Sequence, residues 1–108
     1  MNDVGLVIRS VERLIKECGR NDMSEAEKAG LYAGLRILCK DLELFVEESL
    51  QNDGYAHEKL GQVEWHVGAA LGFDITNGHP KTQHISWAYG GLNSFESVVS
   101  RRSDSIPA

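Results

Sequence analysis

The sequence predicts an all-α fold, a compact bundle of three to four helices built around a long central second helix. Three observations carry that reading. Apolar residues recur at steps of three and four over long stretches. Capping and turn residues stand where those stretches begin and end. The one strand-like run, residues 84–89, has no second strand to pair with.

The first helix is expected over residues 3–18. Val4, Val7, Ile8, Val11, Leu14, Ile15 and Cys18 fall on one face, and charged residues occupy the other. Gly19 follows as a residue suited to a left-handed stop. The second helix opens on Ser24-x-x-Glu27, a capping box in which each residue satisfies a free backbone donor of the other. Leu31, Leu35, Leu38, Leu42 and Phe45 form its seam. A further row of Ile37, Cys39, Leu44, Val46 and Leu50 makes the apolar surface wider than one contact covers. Run to Leu50, this helix is about 40 Å long at ~1.5 Å per residue.

Gln51-Asn52-Asp53-Gly54 supplies a turn and a cap. A third helix is expected over residues 54–71, with Ala56, Leu60, Val63, Val67, Ala70 and Leu71 as its seam and Gly72 as its stop. The short linker makes it the antiparallel neighbour of the second. Residues 74–91 carry Asn77-Gly78 and Pro80 and are expected to be irregular. Asn93-x-x-Glu96 then caps a last short helix bearing Phe95, Val98 and Val99. Residues 1–102 are read as one domain and 103–108 as a flexible tail.

Composition bounds the function. A chain of 108 residues with 42% hydrophobic and 25% charged residues builds one core without metal or disulfide staples. Net charge is −5. Residues 41–58 contain no Lys or Arg, while Asp41, Glu43, Glu47, Glu48, Asp53 and Glu58 are all acidic. Such a surface repels phosphate backbones and anionic lipid. A helix-turn-helix reading of the first two helices fails on the same charge and on the length of the second. Arg101 and Arg102 are the one adjacent basic pair. The N-terminal residues show no secretion-signal pattern, and no apolar run reaches the ~18 residues of a membrane span. A cytoplasmic chain with Cys18 and Cys39 as reduced, buried thiols is expected.

No set of residues converges on a reaction. The nucleophile elbow, the phosphate-binding loop and the dinucleotide-binding glycine pattern are all missing. His57 and Glu64 share a helical face and form the one candidate metal pair. A bundle metal site would need Glu-x-x-His motifs, which Glu64-Trp65-His66 does not supply. The expectation is therefore a chain that is not an enzyme and holds no cofactor, with a small helical enzyme or metal-binding bundle using His57 and Glu64 as the alternative.

Protein recognition remains. Trp65 lies well away from the seam of its own helix, so it is either covered by the 74–91 segment or exposed as an anchor. Trp87 and Tyr89 are its expected neighbours. Leu42 and Phe45 on the over-wide second helix are a further candidate surface, which a second copy of the chain would cover. Glu43, Glu47 and Glu48 would steer a partner with a basic surface. The size, acidity and helical build resemble those of small bacterial or phage regulatory proteins, such as antiactivators, immunity proteins and inhibitors of host defence systems. That likeness rests on no motif and assigns no residue. The expected function is binding another protein and occluding one of its interfaces, as a homodimer.

Overall fold

Four helices account for nearly all of residues 3–105, the part of the chain that the computed structural model describes. They are α1 (Val4–Cys18), α2 (Glu25–Ser49), α3 (Gly54–Leu71) and α4 (Lys81–Ser105). Among the described residues there is no strand. The all-α bundle expected from periodicity is what forms.

Local chemistry sets the helix ends. Asp3 caps α1 by accepting from Leu6 N–H at 3.2 Å. Ile8, Val11, Ile15 and Cys18 then form its buried stripe. Gly19 does not take the left-handed turn expected of it. Its φ is −76°, and its N–H tightens the last turn by bonding to Lys16 O at 3.1 Å. At α2 both bonds of the Ser24–Glu27 capping box are present, each 3.1 Å long. The chain leaves α2 through Gln51 and Asn52, both at φ 55°. Asn52 N–H reaches back to Val46 O at 2.9 Å. Asp53 caps α3 by accepting from Ala56 N–H at 3.0 Å, and Arg102 donates to its other oxygen at 2.9 Å. The end of α4 is thus tied to the start of α3. Gly72 does adopt the left-handed stop, at φ 88°.

The segment expected to be irregular is mostly helical. Only residues 72–80 form a connection, and α4 begins at Lys81. Pro80 stands just before the helix, where its missing N–H costs nothing, and its carbonyl accepts from Gln83 and His84. The buried positions His84, Ala88, Gly91, Leu92, Phe95, Val98 and Val99 do follow helical steps. Their first members are a histidine and two small residues, so the stripe carries almost no hydrophobic signal until Leu92. Asn93 and Glu96 consequently lie inside a helix and not at its start. Glu96 instead meets Arg9 of α1 in an ion pair. The helix also runs through Ser105, into the segment expected to be a tail; residues 106–108 lie outside the described part.

The packing order matters for the site. α2 packs on α1 and α3, α4 packs on α3 and α1, and among the described residues the backbones of α2 and α4 do not approach each other closely. α2 has the expected length, and its Leu35, Cys39, Leu42 and Val46 enter a core to which all four helices contribute. The extents are 47 × 25 × 17 Å. The largest interface is that of α3 with α4. A Cβ on Gly91 would sit 3.2 Å from Val63 Cγ2 and 3.3 Å from Lys59 O, a tight contact that favours glycine at this crossing. Cys18 and Cys39 are both free and buried, as expected. Burial raises the Cys18 thiol to about 11 and raises Cys39 further.

Two outcomes follow. Gly90→Ala, whose Cβ meets open space, raises stability by up to about 1 kcal/mol through helix propensity. Gly91→Leu lowers it by about 1–3 kcal/mol by overpacking. Paired denaturant melts check the contrast, and equal effects of the two changes would refute the close crossing. Both thiols should label slowly with a thiol reagent in the native state and rapidly in denaturant. Fast native labelling of either would place it outside the core.

Candidate functional site

The α3–α4 interface does not close along its whole length. Where α4 starts, Trp65 and His66 of α3 face His84 and Trp87 of α4, with His79 arriving from the 72–80 connection. The His66 ring centroid lies 4.3 Å from that of Trp65 and 5.2 Å from that of Trp87. His84 lies 5.9 Å from Trp65 and 5.6 Å from Trp87. His79 stands edge-on to Trp87 at 4.8 Å. The two imidazoles of His66 and His84 therefore bridge the two indoles.

A cleft of about 470 Å³ opens over this cluster. Trp65, Trp87, His66 and His79 line its aromatic part, and Gly90 and Gly91 leave the stretch of α4 between Trp87 and Ser94 without side chains at those positions. Lys59, Gln62, Asn77 and Ser94 supply its polar lining, and no carboxylate lines it. The volume falls in the ~300–1,000 Å³ range of ligand pockets. Trp87 is 38% exposed and Trp65 is half-buried.

The histidine pair has a definite proton arrangement. His84 is fully buried, and its Nε2 lies 2.9 Å from Thr76 O. A carbonyl only accepts, so His84 Nε2 carries the hydrogen. In the neutral ring His84 Nδ1 is then bare and accepts from His66 Nδ1–H across 3.0 Å. This leaves His66 Nε2 bare as well, and nothing among the described residues bonds to it. Burial, then His84 and His79, hold the His66 pKa below the ordinary histidine range.

The other residues named from the sequence do not join this cluster. Tyr89 is half-buried on the α1 side of α4, near Glu12 and Cys18. Leu42 is fully buried in the core and offers no surface to a partner, contrary to expectation. Phe45 is partly buried against the core. Glu47 and Glu48 are exposed on α2. Glu43 lies with Glu64, Arg36 and Lys40 in a separate groove between α2 and α3. Burial and then Glu43 raise the Glu64 carboxyl, against Arg36 and Lys40, which lower it. His57 donates from Nε2 to Asn52 Oδ1 at 2.6 Å. His57 and Glu64 thus engage different neighbours and do not form a pair. Among the described residues no three His, Cys, Asp or Glu side chains are arranged to hold a metal.

The buried histidine pair escaped the sequence reading, which counted only apolar residues as seam positions. His66 stands three residues after Val63, and His84 four before Ala88, on the buried stripes of their helices. A periodicity that admits histidine finds both. No family model, curated protein or solved structure significantly matches the chain. Fold and site define it as a four-helix bundle with an aromatic, histidine-floored cleft between its third and fourth helices.

The His66 shift sets a pH dependence. The folded state takes up this proton later than the unfolded chain, whose histidines titrate near ~6.5. The stabilisation is therefore complete above that value and declines as pH falls through it toward the lower folded pKa. The His66 contribution to the melting temperature should be complete above about pH 7 and decline as pH falls below about 6.5. His66→Gln should flatten the slope in that window. An unchanged slope in the variant would mean that His66 is not the group responsible.

Proposed function

We propose that the chain is a non-enzymatic, cytoplasmic regulator that binds another protein and occludes one of its interfaces. The observation that carries this reading is the open Trp65–Trp87 cleft, whose aromatic walls no side chain among the described residues fills. Exposed Trp at the lip of a concave site is the usual chemistry of a binding anchor. Among the described residues no helix is long and apolar enough to cross a membrane. The acidic residues Glu43, Glu47 and Glu48 would speed encounter with a partner of basic surface without touching the anchor.

Self-association belongs to the same proposal. Ile37 is 65% exposed and Leu44 44% exposed, seven residues apart on the outer face of α2. That spacing puts them on one stripe, which a second copy would cover as a homodimer. Light scattering at micromolar concentration should give twice the chain mass of 11.9 kDa, and Ile37→Glu should reduce it to one. A monomer at the wild-type sequence ends this part of the proposal.

The test of the cleft is Trp87→Ala. Trp87 is 38% exposed and is the more accessible of the two indoles. A partner isolated with the wild-type chain should bind Trp87→Ala weaker by about 2 kcal/mol or more, roughly thirtyfold, with little change in melting temperature. Full affinity in the variant would remove the cleft from partner recognition.

A further inference from the structure

Resting on that reading, we infer that the cleft selects a tyrosine or tryptophan side chain of the partner over phenylalanine, with the ring's O–H or N–H donated to His66 Nε2. The selection comes from the relay behind the cleft. Thr76 O fixes the hydrogen on His84 Nε2, His84 Nδ1 fixes the hydrogen on His66 Nδ1, and His66 Nε2 is left as a bare acceptor. His66 is 8% exposed and lines the cleft, and no side-chain nitrogen or oxygen among the described residues is both fully buried and unbonded. The remaining access to Nε2 is therefore through the cleft.

The rest of the lining sharpens the requirement. Trp65, Trp87 and Lys59 are pure donors. Gln62, Asn77, Ser94 and the neutral His79 ring can each donate as well as accept, so none of them demands a donor from the occupant. His66 Nε2 does, because its orientation is held by a buried bond and its tautomer by the carbonyl two bonds behind. An occupant with an aromatic ring stacks among Trp65, Trp87 and His66 whatever its polarity. Only one with a ring-borne donor replaces the water that His66 Nε2 loses when the cleft fills. Phenylalanine would leave that acceptor dry and unpaired, the costly half of the hydrogen-bond balance. The bare glycine positions give the ring a flat approach there, since a Cβ at Gly90 would meet nothing within 4 Å of the protein.

The experiment uses side-chain mimics on the intact protein: p-cresol for tyrosine, 4-methylanisole, which keeps the ring and oxygen without the O–H, and toluene for phenylalanine. Each is titrated while 15N NMR follows the imidazole nitrogens of His66 and the indole N–H groups of Trp65 and Trp87. The expected result is saturable binding with p-cresol favoured about fivefold over the other two, the worth of one neutral hydrogen bond. His66 should appear as the Nδ1–H tautomer, with its Nε2 resonance shifting on p-cresol alone. Gly90→Leu, which fills the cleft from an open position, should keep the melting temperature and abolish binding. Equal affinity for all three mimics, or an Nε2–H tautomer at His66, overturns the donor selection and leaves the aromatic anchor standing. Failure of all three to perturb Trp65 and Trp87 overturns the selection and the anchor reading together.

Discussion

The close approach of α4 to α3 at Gly91 is the constraint on which the rest of the site depends. With Val63 and Lys59 O little more than 3 Å from where a Cβ would stand, the two helices approach closely near the middle of their interface. Side chains of ordinary size must then be accommodated on either side of the crossing. On one side Leu92, Phe95, Val98 and Val99 fill the space as core. On the other, toward the start of α4, the fillers are large and flat: two indoles and two buried imidazoles. Flat rings set at angles of 35° to 75° to one another do not seal an interface as aliphatic groups do. The cleft is the space they leave.

Placing two imidazoles in that space carries a cost that only a satisfied network offsets. A buried ring nitrogen without a partner is destabilising by about 1–3 kcal/mol. Thr76 O supplies the acceptor that begins the chain, and it does so from the 72–80 connection, outside both helices. The turn at Asn77 and Gly78, with φ of 52° and 80°, brings that carbonyl back over the start of α4. A loop that reads only as a helix linker thereby sets the tautomer of a residue on the far helix. The protons run in one direction, from His66 to His84 to Thr76, and the last free lone pair emerges at the cleft.

How far this was legible in the sequence depends on which residues carried the signal. Ser24 with Glu27, Asp53 and Gly72 mark helix ends by local hydrogen bonding and backbone conformation, which are properties of a few adjacent residues, and each acts where it was expected. Leu35, Leu42 and Val46 repeat with the helical period because they are apolar and buried. The first half of α4 was not legible. Its buried face begins His84, Ala88, Gly91, and none of these registers as strongly hydrophobic. Gly90-Gly91 reads as a break when considered alone, whereas a tight helix crossing stabilises glycine inside a helix. Trp65 was legible as a candidate because it departs from the seam of its helix, and Trp87 only as its expected neighbour. The histidines between them fall on helical periods that admit histidine, but their bond to each other was not legible, since it is a tertiary pairing of residues 18 positions apart. Leu42 shows the opposite failure: an apolar face too wide for one neighbour is covered by α1 and α3 together, not left open at that residue.

The arrangement of charge follows from the same topology. Among the described residues the backbones of α2 and α4 do not approach each other closely. The carboxylates of Glu43, Glu47 and Glu48 therefore belong to one face of the bundle and the cleft to another, and no carboxylate lines the cleft. Surface charges separated by more than a Debye length of ~8–10 Å are screened from each other at ordinary salt. On the proposed reading, a partner approaching the acidic face would feel its field during diffusion, while the energy of a docked ring would be set by Lys59, His66 and the indoles. Steering and anchoring would then be separable. Salt would act on the first through α2, and the hydrogen-bonding character of the docked side chain would act on the second through the relay that ends at His66.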